Sequence, residues 1–339
     1  DEVVVPAAGQ DGVLLAWPHE GTDWAYMLDD IRPVFAEIIR HIIRFERVLL
    51  TVPHAASAAG YLKTAGVDLA GVTICEMSTN DTWARDFGPI TVIYNDKPVL
   101  IDFGFNGWGL KFPANHDNLV SKRLKQLGAL KPNLNTIGLI MEGGSIESDG
   151  LGTIMTTASC LLSPNRNPQL DKSEIEQALA SLTGAKRVLW LNHGWLAGDD
   201  TDSHIDTLAR ICPDNTIVYQ SCDRPLDEHF ESLKLMENEL KSFTAPDGSP
   251  YRLIPLPWPV ARFDDQAHRL PATYANFLVI NRAVLVPTYR DPENDRPALE
   301  RVGQAFPGRE IIGIDCLPLL EQHGSLHCVT MQLPQGVLP

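Results

Sequence analysis

Stretches of helical pattern begin near residues 116, 171, 227 and 292, roughly 55–65 residues apart, and this cadence limits the chain to an array of similar units. Each helical stretch leads into a short apolar run of buried-strand type, at 136–141, 187–191, 251–255 and 310–314. Hairpins follow the first three of these runs, turning at Asp149-Gly150, Pro213-Asp214-Asn215 and Asn281-Arg282. The last run leads instead to a strand-like stretch, 324–332, that carries Cys328. Ahead of the cadence lie strands at 13–17, 47–52 and 72–75 and helices over 29–45 and 54–65. A hairpin then joins 90–94 to 98–101 through Asn95-Asp96-Lys97. In the first helix Ile31, Val34, Phe35, Ile38, Ile39 and Ile42 fall on one face.

Strand-hairpin-helix units of this kind can close radially, which hides sheet edges and leaves a central channel. The expected fold is α/β, with about five units in one domain spanning 1–339. No Gly/Ser-rich linker or shift of composition marks a boundary, and two tandem α/β domains are the competing arrangement.

Charge and composition narrow the partners. With 44% hydrophobic and 21% charged residues the chain is globular in composition. A net charge of −15 argues against a nucleic-acid partner, which calls for a basic face, and favours cationic ligands. No apolar run reaches the ~18 residues of a membrane span. The six cysteines, at 75, 160, 212, 222, 316 and 328, form no CxxC pair, zinc pattern or disulfide framework, which suits a reducing cytoplasm. The opening, Asp1-Glu2-Val3-Val4-Val5-Pro6, has neither a methionine nor a signal-peptide pattern, so the expectation is a start inside a slightly longer gene product.

Four stretches carry chemistry. Cys328 is the candidate nucleophile, since a thiol attacks as thiolate once a neighbour lowers its pKa. His204 is the candidate proton carrier, because imidazole titrates near neutrality. If 204–206 is extended, His204 and Asp206 share a face and Ile205 points into the core. Glu142, ahead of Gly143-Gly144, suits a carboxylate that orients the imidazole. Asp86 and Asp206 together suit a planar guanidinium, whose paired N–H groups match carboxylates. Each also has a plain structural reading: core cysteine, satisfied histidine, turn carboxylate or surface salt bridge. His327, adjacent to Cys328, reads as structural or supporting, because neighbours on a strand face opposite ways. His193 and His323 stay unassigned. The run 199–202 fails the calcium-loop pattern, since counting from Asp200 the sixth position is Ile205 and the twelfth Ile211.

In combination these stretches resemble the agmatine deiminase family, within the guanidine-modifying or pentein superfamily, which also resembles bacterial peptidyl-arginine deiminases. The resemblance runs over nearly the whole chain. It is carried by Trp83-Ala84-Arg85-Asp86-x-Gly88-Pro89, Glu142-Gly143-Gly144-Ser145, Asp200-Thr201-Asp202-x-His204-x-Asp206 and Leu326-His327-Cys328-x-Thr330. Phe105-Asn106-Gly107-Trp108-Gly109-x-Lys111 adds to it. It implies a five-bladed α/β propeller around a central active-site channel. It also implies deimination of a small cationic guanidine, with agmatine giving N-carbamoylputrescine on the route to putrescine. Cys328 would be the nucleophile, His204 the acid/base, and Glu142 its support. Asp86 and Asp206 would hold the guanidinium, with Trp83 as a pocket wall. No metal or organic cofactor is implied, and a homo-oligomer is left open. Two departures stand out. Ser203 replaces a usual glycine before His204, and Gln322-His323-Gly324-Ser325-Leu326 replaces a glycine-richer approach to the cysteine. The alternatives are peptidyl-arginine deimination, amidino transfer to an acceptor amine, a cysteine protease, and guanidine binding without turnover. Nothing in the sequence selects which acid, Asp81 among them, holds the far end of a substrate.

Overall fold

Hairpin turns set the scaffold. The computed structural model describes residues 9–339, so the opening segment at Asp1–Pro6 lies outside the described residues. Strands β1 (Gln10–Ala16), β2 (Arg47–Val52) and β3 (Val72–Glu76) lie parallel in the first sheet. The second sheet holds β4 (Ile90–Tyr94), β5 (Lys97–Gly104) and β6 (Leu134–Ile140). The third holds β7 (Ile146–Ser148), β8 (Thr153–Thr157) and β9 (Arg187–Leu191), and the fourth β10 (Ala209–Cys212), β11 (Thr216–Gln220) and β12 (Arg252–Leu256). A two-stranded ribbon, β13 (Arg262–Phe263) with β14 (Arg269–Leu270), precedes the fifth sheet of β15 (Leu278–Ile280), β16 (Ala283–Thr288) and β17 (Glu310–Asp315). In the second to fifth sheets an antiparallel hairpin is followed by a helix-bearing crossover to a parallel third strand. Asn95 and Asp96 have positive φ, the backbone that twists the two-residue turn between β4 and β5 in the sense its strands need, and the three-residue turn between β10 and β11 has positive φ at Asp214 and Asn215.

The first sheet obeys the same scheme by a different route. Its antiparallel partner is β18 (Met331–Pro334), which returns from the far end of the chain to pair with β1. The ends of the described chain are therefore hydrogen-bonded to each other.

The helices match the sequence pattern to within a few residues. Helix Leu28–Ile42 buries the six apolar residues named above together with Ala36, each large side chain contributing on the order of 1.5–3 kcal/mol by leaving water. Helix Lys172–Thr183 starts in a capping box formed by Asp171 and Glu174 and stops at Gly184 with φ 65°. The helix expected near 116–127 is shorter: a 3-10 turn, Asp117–Leu119, runs into Val120–Gln126.

Two local expectations fail. Cys328 is not on a strand: it sits in the 3-10 turn His327–Val329, and β18 begins only at Met331. The Asn276 side chain explains this, because its Oδ1 accepts from the backbone N–H of both His327 and Cys328, groups that a strand ladder would need. Likewise 204–206 is not extended. Ile205–Thr207 forms a 3-10 turn, closed by Thr207 N–H and Oγ1–H donating to His204 O. Ile205 is nevertheless fully buried, as expected.

Candidate active site

The predicted groups stand just ahead of the leading strands. Asp86 lies in the one-turn helix Ala84–Phe87 before β4, and Glu142 precedes the turn Gly143–Ser145 and β7. His204 and Asp206 lie before β10, and Cys328 before β18. Gly144 is where three of them converge. A β-carbon there would lie 2.6 Å from His204 Nδ1, 2.8 Å from Asp86 Oδ1 and 3.2 Å from Asp206 Oδ2. Only glycine fits so crowded a position.

Cys328 and Asp86 line a cavity of about 250 Å³. Trp83 and Trp108 form part of its wall, and Asp23, Asp81, Asp117 and Asp200 also face it. Trp83 lies against Gly324, where a β-carbon would fall 2.1 Å from the indole ring. Among the described residues no lysine or arginine lines the cavity. Burial pushes the Asp81 carboxyl up to about 6 and that of Asp117 to about 8.

Each carboxylate has its own fixed posture. Asp86 accepts at Oδ2 from Trp108 Nε1 at 2.9 Å and at Oδ1 from Gly144 N–H at 3.0 Å. His204 Nδ1 stands 3.6 Å from Asp86 Oδ1, and its Nε2 stands 3.4 Å from Glu142 Oε1. The imidazole thus has a carboxylate at each ring nitrogen. Burial alone would lower its pKa, yet the Asp86 charge and the Cys160 and Glu142 contacts raise it well above 6.5, so it rests as imidazolium near neutrality. Burial likewise works against an ionised Glu142, but hydrogen bonds from His204 and Arg166 outweigh it and bring the carboxyl down to about 2.

Asp206 is fully buried. Its Oδ2 lies 2.7 Å from His327 Nδ1, while its Oδ1 has no hydrogen-bond partner among the described residues. Arg210 can only donate, and it reaches His327 Nε2 at 3.2 Å, so the His327 proton sits on Nδ1 and points at Asp206. Burial raises the Asp206 carboxyl to about 7. The Cys328 thiol, 8% exposed, is pushed up by burial and then by Asp206 and Asp86. Its Sγ–H points to Asn276 Oδ1 at 3.3 Å.

Sequence reasoning missed Asn276, Arg166 and Cys160. Asn276 lies two residues before β15, the corresponding place in the fifth sheet, so the cadence itself would have located it. Arg166 follows the short helix Ala158–Leu161, in an irregular stretch with no hydrophobic period to mark it. Cys160 has its sulfur within 4.8 Å of ligand atoms of Glu142 and His204, a spacing open to a metal. Arg166 already donates to both Glu142 oxygens, and its positive charge opposes a cation there.

The structure has a second cavity, of about 500 Å³. Arg85, Gly143 and His327 line it, each the chain neighbour of Asp86, Gly144 or Cys328.

Residues 6–334 match the family described as Porphyromonas-type peptidyl-arginine deiminase. A Shewanella baltica protein, provisionally named an agmatine deiminase, is 33% identical over 99% of this chain and 95% of its own length. A Porphyromonas gingivalis structure, provisionally named an arginine deiminase, is 49% identical with a TM-score of 0.94, and all of both chains is covered. A cysteine-to-serine agmatine deiminase of C. jejuni, solved with substrate bound, is 38% identical with a TM-score of 0.92 over 99% of this chain and 97% of that one.

Proposed function

The chain belongs to the Porphyromonas-type peptidyl-arginine deiminase family of guanidine deiminases, hydrolases of amidine C–N bonds, and from that premise we propose that its substrate is agmatine. In this reading agmatine and water give N-carbamoylputrescine and ammonia, a step toward putrescine. The observation that carries it is the convergence at Gly144 of one imidazole and two carboxylates, beside a small acid-lined cavity that holds the thiol. The five sheets serve as propeller blades of a single domain, and their leading ends surround the channel. The partner is a small cationic guanidine, without nucleic acid or membrane. No helix among the described residues is long and apolar enough to cross a membrane. Six unpaired cysteines suit a cytoplasmic setting.

The chemistry runs through this chain's own groups. Asp86 and Asp206 clamp the guanidinium, and a substrate N–H supplies the donor that Asp206 Oδ1 lacks. The cation between them offsets the acids that hold the Cys328 thiol protonated. The thiol then releases its proton to solvent as the sulfur bonds to the central carbon, whose C=N electron pair moves onto nitrogen. His204, charged at rest, gives its proton to the departing nitrogen as the C–N bond breaks and ammonia leaves. The product of this step is an amidino-thioether on Cys328. Neutral His204 takes a proton from water, whose oxygen bonds to the same carbon. Cleavage of the C–S bond then frees the ureido product and the thiol. Glu142 holds His204 throughout, and Trp83 walls the substrate.

A peptidyl arginine is the second reading, and the acid-lined cavity disfavours it because a peptide presents no ammonium tail to those acids. The test is Cys328→Ala assayed for ammonia with agmatine, free arginine and arginine peptides. The wild type turns over agmatine best, and the variant is inactive. Turnover by the variant, or a preference for peptides, overturns the respective assignment.

A further inference from the structure

Arg166 stands at the junction of three pieces of the site. Its side chain is fully buried. One edge of the guanidinium holds Glu142: Nε donates to both carboxylate oxygens at 3.0 Å, and Nη2 to Oε1 at 2.6 Å. The other edge holds the loop before His204, with Nη1 donating to Asp202 Oδ2 at 2.7 Å and Nη2 to Thr201 O at 3.0 Å. That loop is held against its backbone preference, since Asp202 and Ser203 both have positive φ, 65° and 68°. Lys111 closes the chain of contacts. Its Nζ donates to Asp202 Oδ1 and Asp200 O, each at 2.8 Å, and it lies three residues beyond Trp108, the donor to Asp86.

We propose that Arg166 is a positioning residue for the deimination: it clamps Glu142 in line with His204 and pins both to the loop that delivers the imidazole. The inference rests on the roles of His204 and Glu142 set out above. Glu142 is wholly buried, and among the described residues its carboxylate has, apart from Arg166, one hydrogen-bond partner, His204 at 3.4 Å. A guanidinium is suited to the task because its planar fork reaches both oxygens and still has donors for the loop. Without it the buried carboxylate takes up a proton, turns neutral, and ceases to stabilise the imidazolium. His204 then loses its proton at a lower pH.

The experiment compares Arg166→Gln and Arg166→Lys with the wild-type enzyme, measuring kcat, KM and the pH dependence of kcat on agmatine. Arg166→Gln is expected to lower kcat ~100-fold with little change in KM. The limb of the profile set by His204 is expected to move about one pH unit toward acid. Arg166→Lys keeps the charge but not the fork, so kcat falls about tenfold and the limb stays nearer its original place. Adding Arg166→Gln to Glu142→Gln is expected to cost little more, because the two act as one unit. If Arg166→Gln does not fold, the lysine variant decides, and wild-type kcat there overturns the proposal. A loss of kcat with an unmoved pH profile and full additivity with Glu142→Gln also overturns it, since that is how a merely structural arginine behaves. The two levels of inference separate cleanly. An active Cys328→Ala sinks the reaction scheme, whereas inactive Cys328→Ala beside fully active Arg166 variants sinks only the role of Arg166.

Discussion

A single methyl group tests the geometry at Gly144. Gly144→Ala is expected to force His204, Asp86 and Asp206 apart, and displacements approaching 1 Å lower turnover by about 100-fold. The assay is kcat with agmatine, with thermal unfolding as a control, and wild-type kcat would show that the three groups need not stay where they are. The sequence makes the acids, imidazole and thiol legible because those residue types are scarce and chemically pointed. Asn276 and Arg166 are different. An amide and a guanidinium that act through a neighbour carry no local signature, and only packing reveals that Asn276 Oδ1 takes two backbone N–H groups and the thiol. His327 is a mixed case. Its supporting role agrees with the contact to Asp206, but the argument from strand alternation does not, because the residue lies in a turn.

At the scale of elements, periodicity found the strands and long helices, since apolar spacing is set by the cores those elements pack into. It failed at 204–206 and at Cys328, where side-chain hydrogen bonds compete with the ladder and fold the chain into 3-10 turns. The departures from the family pattern also gain a physical meaning here. Ser203, in place of a usual glycine, has φ 68°, and His323 in the less glycine-rich approach to the cysteine has φ 68° too. A side chain in that region costs about 1–2 kcal/mol, part of which glycine gives back through unfolded-chain entropy. Ser203→Gly is therefore expected to raise stability by roughly 0.5–1 kcal/mol in chemical denaturation. A loss of stability would mean that Ser203 makes up for its backbone strain through contacts.

The whole molecule is acidic, and part of that charge surrounds the cavity as Asp23, Asp81, Asp117 and Asp200. Burial raises the Asp81 and Asp117 carboxyls to about 6 and about 8, so they favour the neutral form in mild acid and become charged as the pH rises. A substrate with an ammonium tail should bind better as these groups ionise. The KM for agmatine is expected to fall between about pH 6 and 8.5, and more steeply than for an alkylguanidine without the amine. Asp206 and Asp86 affect both substrates alike, so the comparison isolates the tail. Parallel KM profiles would remove the outer acids from substrate recognition. The first sheet is completed by the pairing of β18 with β1, which the sequence could not specify because it joins strands from opposite ends of the described chain.

That pairing has a consequence for synthesis. Cys328 lies three residues before the strand that completes the first sheet, so its turn cannot settle against that sheet until residues 331–334 have left the ribosome. A nascent or prematurely terminated chain can form the hairpin-based sheets, but it lacks the sulfur. Under the proposed reaction scheme, a chain cut short before residue 328 turns over no guanidine.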